Sequence, residues 1–243
     1  MDWLMLAAAL FVTAASLLRG LTGFGFAIVA MPLLSLVMPP ILAVPIVTLL
    51  QIPSGVHTIY GDWRDIDLRF ALVVWIAGLP TILPGLYLLS LVPPHDMRLM
   101  IGAIVLLSTF VLMVGFKLDR SPRTAELIGA GALSGIMQGA AAMAGPPLIL
   151  LALSSNWPHA RSRATLSFVF LLLGSASLVI GMWRGIISAD SLLDALILLP
   201  GLIVGQYAGT HLFRRLNARS YKVIAITCVA ASAAAVITRA FLE

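Results

Sequence analysis

Runs of apolar residues follow one another along the whole chain, separated by short stretches that contain charged residues, proline or glycine. A membrane core about 30 Å thick needs about 20 apolar residues for each helical crossing. Ten candidate segments are delimited in this way, at 3–18, 22–38, 41–59, 70–91, 99–116, 125–138, 142–155, 164–183, 192–211 and 223–240. The pattern predicts an all-α polytopic membrane protein with about eight to ten transmembrane segments. The count is a range because segments one, two, six and seven either span the membrane fully or are broken and re-entrant.

The composition excludes a water-soluble fold. Of the 243 residues, 60% are hydrophobic and 10% are charged, and the mean hydropathy is +1.06. Soluble domains, by contrast, carry roughly 25% charged residues. Cys228 is the only cysteine, so a disulfide within the chain and a cysteine-based metal or iron–sulfur site are excluded.

The net charge of +5 comes from basic residues that are scattered through short loops and not gathered on one surface. When every segment is counted as a crossing, twelve of these residues fall on one side: Arg19, Arg64, Arg69, Lys117, Arg120, Arg123, Arg161, Arg163, Arg214, Arg215, Arg219 and Lys222. The other side has Arg98, Arg184 and Arg239. Because basic loops stay in the cytoplasm, this split predicts a multi-pass protein of the cytoplasmic (inner) membrane with both termini outside. It does not indicate a nucleic-acid partner.

The two halves of the chain resemble each other. At an offset of +115 Gly20 matches Gly135 and Pro32 matches Pro147, and at +120 Trp63 matches Trp183, Arg64 matches Arg184, Pro80 matches Pro200, Gly85 matches Gly205 and Tyr87 matches Tyr207. The match predicts an N-terminal membrane repeat at 1–118 and a C-terminal repeat at 119–243, each with about five segments. An odd number of segments inverts the second repeat relative to the first, an arrangement typical of secondary transporters.

Two segments carry helix-breaking residues in corresponding places. The first stretch, 19–32, contains Thr22, Gly23, Phe24 and Gly25. The second, 135–147, contains Gln138, Gly139 and Gly145. Non-helical backbone at membrane depth is tolerated only where it is buried in protein or lines a polar cavity. The next half-helix then begins with unpaired N–H groups and the positive end of its dipole, which together favour an anion.

The two breaks therefore predict a substrate site between the repeats, with backbone donors from both sides and side-chain hydrogen bonds from Thr22 and Gln138. Gln51 joins this set from segment three, where it shares a helix face with Ser54 and His57. A second interpretation stays open for the glycines around Gly139, because small residues spaced by four also permit close helix packing.

The remaining chemistry of the sequence argues against an enzyme and against a cation carrier. Acidic residues are nearly absent from the predicted membrane interior, where carboxylates usually mark cation or proton pathways. The chain has no zinc-protease motif, nucleophile elbow or nucleotide-binding phosphate loop. We therefore predict no catalytic residues, no metal site, no cofactor and no ATP-driven transport within this chain.

The stretch Gly-Leu-Thr-Gly-Phe-Gly-Phe-Ala-Ile-Val-Ala-Met-Pro at 20–32, with a weaker echo at 135–147, resembles the TauE/SafE family of sulfite exporter-like membrane proteins. The likeness covers essentially the whole chain. It implies a permease for small sulfur-containing anions such as sulfite or organosulfonates. Carried over by position, the family's glycine-rich stretch falls on Thr22, Gly23 and Gly25, and its repeat on Gln138, Gly139 and Gly145.

The leading hypothesis is a secondary permease that moves a small anion through the bilayer by alternating access. The predicted substrate-binding residues are Thr22, Gly23, Phe24, Gly25, Gln51, Gln138, Gly139 and Gly145. An anion channel and a non-transporting membrane subunit or scaffold are the alternatives. Coupling to H⁺ or Na⁺ and assembly into a homo-oligomer are both compatible with the sequence.

Overall fold

The computed structural model consists of helices joined by short connections over the residues that it describes, which are 3–22, 25–114, 120, 122–155, 157–213, 227 and 231–240. The helices in chain order are α1 Trp3–Thr22, α2 Phe26–Ser35, α3 Pro40–Asp62, α4 Leu68–Leu91, α5 Pro94–Val114, α6 Thr124–Ala141, α7 Gly145–Ser154, α8 His159–Trp183 and α9 Ala189–Phe213. A short 3₁₀ turn, Trp63–Asp65, follows α3, and residues 231–240 are also helical. The predicted all-α fold is confirmed.

Four of these helices contain stretches long and apolar enough to cross a membrane: Trp3–Gly20, Leu68–Leu91, Ala160–Trp183 and Ala189–Leu212. Their outward faces carry large apolar side chains, such as Ile76 on α4, which is 64% exposed. A soluble protein rarely exposes large contiguous apolar patches. These faces suit contact with lipid, and the prediction of a multi-pass membrane protein is confirmed.

Two helices are too short to cross the membrane alone. Helices α2 and α7 have 10 residues each, which at 1.5 Å per residue gives about 15 Å, half of the hydrocarbon thickness. The sequence pattern had allowed ten complete crossings, because the apolar runs continue through the turns that flank these helices. The structure excludes that count and leaves α2 and α7 as half-length elements.

The most extensive helix contacts follow a pattern that repeats after five helices. They join α4 to α6 and α1 to α9, so that the first helix of each half packs on the fourth helix of the other. Helices α3 and α8, the third of each half, pack on each other. The contacts thus repeat after five helices. The division at residues 118 and 119 and the inverted relation of the halves both stay predictions.

Glycine contacts set the register of that pattern. Gly85 of α4 lies against the carbonyl of Ile136 in α6, and Gly205 of α9 lies against the carbonyl of Thr13 in α1. Gly85 and Gly205 occupy equivalent places in these two contacts and are 120 residues apart. Their partners, Thr13 and Ile136, are 123 residues apart, so α1 and α6 correspond at an offset of 123. The +115 alignment of the glycines near the two breaks is therefore not the register in which the helices pack.

Two arginines that the charge count assigned to loops lie within helices and are buried. Arg19 is in α1 and is 3% exposed, and Arg98 is in α5 and is 6% exposed. The Nε of Arg98 donates to the carbonyl of Ser35 at 2.9 Å, at the C-terminal end of α2. A cation there satisfies a terminal carbonyl and the negative end of the helix dipole. Without Arg19 and Arg98, each side of the membrane loses one basic loop residue from the charge count, so the excess of basic residues on one side persists.

Candidate functional site

A small cavity lies where the two helix breaks meet. It is lined by Gly25–Ile28 from the first break and Ala142–Gly145 from the second, with further side chains from α1, α3, α6 and α8. Its volume is about 20 Å³, compared with about 10–15 Å³ needed for one water molecule. The cavity is therefore a compact internal site formed by both halves of the chain.

The first break turns the N-terminus of α2 toward this cavity. Gly25 has φ 92° and ψ 8°, a left-handed conformation that glycine adopts without a Cβ clash, and α2 starts at the next residue. Phe26, Ala27 and Ile28 form the first turn of α2 and all line the cavity. The N–H groups of a first helical turn have no partner within the helix and carry the positive end of the dipole.

The second break is built differently. Ala142 has φ 53°, a left-handed conformation that costs an alanine about 1–2 kcal/mol. Helix α7 then starts with Gly145, Pro146 and Pro147, and proline has no backbone N–H. This break offers fewer backbone donors than the first, because two of the first three residues of α7 lack the N–H group.

Two glutamines line the cavity and contact each other. The Nε2 of Gln51, on α3, donates to the carbonyl of Ala142 at 2.6 Å. The Nε2 of Gln138, on α6, donates to Oε1 of Gln51 at 3.4 Å. Gln51 and Gln138 are 6% and 1% exposed, and Oε1 of Gln138 has no hydrogen-bond partner. The pair joins α3 to the strained end of α6 and leaves one acceptor unused.

Arg19 is the charged side chain in the cavity lining. Its Nε and Nη2 atoms are buried and have no hydrogen-bond partner. A buried charge without a partner costs several kcal/mol, and each unpaired polar group in a native structure calls for an explanation such as an absent ion. Arg19 and the first turn of α2 together give this cavity a strong preference for an anion.

The sequence interpretation missed Arg19 because it follows an apolar run and was counted as a loop residue. A signal was present, since the run at 3–18 has 16 residues, fewer than the roughly 20 that a crossing needs. Extension of the helix to the next helix-breaking glycine would have placed Arg19 inside the membrane, where an ionisable residue is a candidate functional group.

The structure brings together half of the predicted site residues. Gly25, Gln51, Gln138 and Gly145 all line the cavity. The side chain of Thr22 and the whole of Gly23 and Phe24 lie outside the described residues.

Gly139 does not line the cavity, and it lies instead in the contact between α6 and α4. A Cβ atom at this position would meet the backbone of Ile82 and would lie 2.7 Å from the backbone nitrogen of Leu86. The alternative interpretation of Gly139, close helix packing, is the one that this geometry supports.

A Gly139→Ala variant is therefore expected to lower stability by about 1–3 kcal/mol, because the added methyl group forces the backbones of α4 and α6 apart. Gly129→Ala, on the same helix, is the matched control, since a Cβ there meets nothing within 4 Å. The control should gain up to about 1 kcal/mol from helix propensity. Thermal unfolding of the detergent-purified variants measures both changes, and equal shifts would contradict this role for Gly139.

A second buried polar contact ties α3 to α9 outside the cavity. The hydroxyl of Ser54 donates to Oε1 of Gln206 at 2.6 Å, and both side chains are buried. Helix α3 thus makes side-chain hydrogen bonds to two elements of the other half: Gln51 bonds to Ala142 at the end of α6, and Ser54 bonds to Gln206 of α9. The cavity is anchored to a helix that contacts both halves of the fold.

The family described as "Sulfite exporter TauE/SafE" matches residues 7–236. A curated protein of Cupriavidus necator, "Probable sulfite/organosulfonate exporter TauE", is 23% identical over 194 residues, which cover 77% of this chain and 76% of that protein. No solved structure gives a significant match.

Proposed function

Because the chain belongs to the TauE/SafE sulfite exporter family, we propose that it is a secondary permease that carries a small sulfur-containing oxyanion in the cavity beside Arg19. The family consists of membrane transporters, not enzymes. Sulfite is the substrate that the family description and the name of the curated relative have in common.

The observation that carries the proposal is the pair of buried, unpaired guanidinium atoms of Arg19, Nε and Nη2, in the same cavity as the first turn of α2. An oxyanion bound there accepts hydrogen bonds from Nε and Nη2 of Arg19 and from the backbone N–H groups of α2. Such charge-assisted hydrogen bonds are about twice as strong as neutral ones. Binding of the anion offsets part of the desolvation cost of Arg19, because the two opposite charges compensate each other.

The size of the cavity supports a compact substrate. A volume of about 20 Å³ is little more than one water molecule requires, so even a four-atom oxyanion needs a slight outward movement of the lining. An organosulfonate with a longer carbon chain needs a larger movement. Sulfite therefore suits the site better than bulky organosulfonates do.

The composition of the cavity lining supports alternating access. Both breaks line the cavity, and each break belongs to a different half of the chain. Movement of one half against the other would open the cavity to one side and then to the other, as in transporters built from inverted repeats. We place the protein in the cytoplasmic membrane with its basic loops inside and both termini outside.

A counterflow assay tests this function. Proteoliposomes that contain the purified protein and a high internal concentration of unlabelled sulfite should transiently accumulate radiolabelled sulfite above equilibrium. Sulfate and small carboxylates serve as competitors that rank the substrate class. Rapid flux without counterflow would indicate an anion channel instead, and the absence of any flux would indicate a non-transporting subunit. Either result would contradict the proposal.

A further inference from the structure

Among the described residues that line the cavity, one side chain is charged, and this limits the charge of the anion that the cavity can hold. Arg19 supplies that charge, and the other lining residues are glycine, apolar residues and the two glutamines. A monoanion beside Arg19 leaves the buried site neutral. A dianion leaves one uncompensated negative charge in a low-dielectric environment, which is strongly unfavourable.

The orientation of the two glutamine amides is fixed by the carbonyl of Ala142. A carbonyl oxygen can only accept a hydrogen bond, so Gln51 must turn its Nε2 toward Ala142, as the 2.6 Å contact shows. Its Oε1 then faces Gln138. Because this oxygen can only accept, Gln138 must donate to it through Nε2. This relay leaves Oε1 of Gln138 as the free end of the chain of amides.

That free oxygen needs a hydrogen-bond donor. Gln138 is 1% exposed, and its Oε1 is buried without a partner. A fully deprotonated oxyanion offers only acceptors, and two acceptor oxygens repel each other. An anion that carries one proton can accept from Arg19 and α2 and donate to Gln138, and so satisfies every free polar group that the lining offers.

We infer that the site selects the singly protonated monoanion, hydrogen sulfite, over the sulfite dianion, and that Gln138 is the specificity-determining residue that makes this selection. The inference rests on the proposed function, because it names the form of the anion at the same site. Transport of the protonated form moves one proton together with each sulfite unit, so the proton travels on the substrate and needs no carboxylate in the cavity.

The pH dependence that follows comes from the ligand and not from the protein. Helix α1 contributes Arg19, a guanidinium that is charged across the pH range around the second pKa of sulfurous acid. The lining residues of α2, α3, α6, α7 and α8 include no titratable side chain.

Binding of three anions to the full-length protein in detergent tests the inference by titration calorimetry, at pH values below and above the second pKa of sulfurous acid. The apparent affinity for total sulfite should fall about tenfold for each pH unit above that pKa, because only the protonated form binds. Methanesulfonate, a monoanion without an acidic proton, should bind roughly tenfold more weakly than hydrogen sulfite and equally at every pH. Sulfate, a dianion, should bind the most weakly.

The Gln138→Leu variant removes the free acceptor. It should reduce the preference for hydrogen sulfite over methanesulfonate from about tenfold to about one, since neither anion then meets an unpaired oxygen. Gln206→Leu is the matched control, a buried glutamine outside the cavity lining, and should keep the preference. If Gln138→Leu fails to fold, the pH series on the native protein decides the question.

The outcomes separate this inference from the function on which it rests. Sulfite affinity that is constant or rises through the second pKa of sulfurous acid overturns the selection of the monoanion. If Arg19→Gln still abolishes binding in that case, the anion site stands. An equal response of methanesulfonate and sulfite to pH would show that a protein group titrates, which also overturns the inference. No binding of any of the three anions counts against both proposals.

Discussion

Replacement of Arg19 by glutamine is expected to weaken sulfite binding by about 100-fold or more and to abolish transport. Loss of one partner of a buried, hydrogen-bonded charge pair costs about 3–5 kcal/mol, and each 1.4 kcal/mol is a factor of ten in affinity. The same substitution should raise the thermal stability of the ligand-free protein. In that state the guanidinium is buried with two nitrogen atoms unpaired, so its removal relieves a desolvation cost.

The opposite signs of these two effects distinguish a binding residue from a structural one. An arginine that held helices together would lower stability when replaced, whereas Arg19 should raise it and lose the ligand. Arg19→Lys should retain weak binding, because an ammonium keeps the charge but not the planar array of donors. The measurements are titration calorimetry with sulfite and thermal unfolding with and without it.

Arg184→Gln is the matched control for this prediction. Arg184 is exposed next to Trp183 at the end of α8, with its guanidinium carbon 5.8 Å from the ring centroid. The change in net charge is the same, so any general effect of charge on anion attraction appears in both variants. Sulfite affinity in Arg19→Gln that equals that of the native protein, or a lower unfolding temperature without ligand, would refute the role of Arg19.

The sequence predicted the parts of the site that depend on local rules. Gly25 and Gly145 were predicted because glycine inside an apolar run indicates a helix break. Gln138 was predicted from its place at the second break, and Gln51 from the polar helix face that it shares with Ser54 and His57. The left-handed φ of Gly25 and the start of α7 at Gly145 agree with that reasoning. The sequence was sufficient to predict a site residue wherever its residue type has one main structural role in an apolar segment.

The sequence was insufficient where the same residue type has two uses. Arg19 at the end of an apolar run fits a cytoplasmic loop as well as a buried site, and only the extension of α1 to residue 22 decides between them. Gly139 fits a helix break as well as a close contact, and its approach to the backbone of α4 decides for the contact. In both cases the deciding fact is a contact between distant parts of the chain.

The lengths of α2 and α7 were hidden for a similar reason. The turn after α2 contains Leu36, Val37 and Met38, which are as apolar as the helix before it. Hydropathy alone cannot place the end of a helix in such a run. The absence of donors at Pro146 and Pro147, by contrast, could have been read directly from the sequence, since proline never carries a backbone N–H.

The second large effect is expected at Gly25, where an alanine should reduce sulfite transport at least about tenfold. The φ of 92° places this residue in the left-handed region, and an alanine there costs about 1–2 kcal/mol. The chain can relieve this strain by a rotation of the backbone just before α2. That rotation would turn the N–H groups of Phe26 and Ala27 away from the anion, and a misplacement of about 1 Å is enough to lose such interactions.

Gly185→Ala provides the matched control, because Gly185 also has a positive φ of 71° and lies in the turn between α8 and α9, where a Cβ atom meets nothing within 4 Å. Both variants carry the same left-handed alanine and should lose similar amounts of stability, about 1–2 kcal/mol. Only Gly25→Ala should lose sulfite binding and counterflow, because only Gly25 lines the cavity. Equal transport by the two variants would show that the first turn of α2 does not hold the anion. Loss of transport in Gly185→Ala would show that strain alone, wherever it is placed, inactivates the protein.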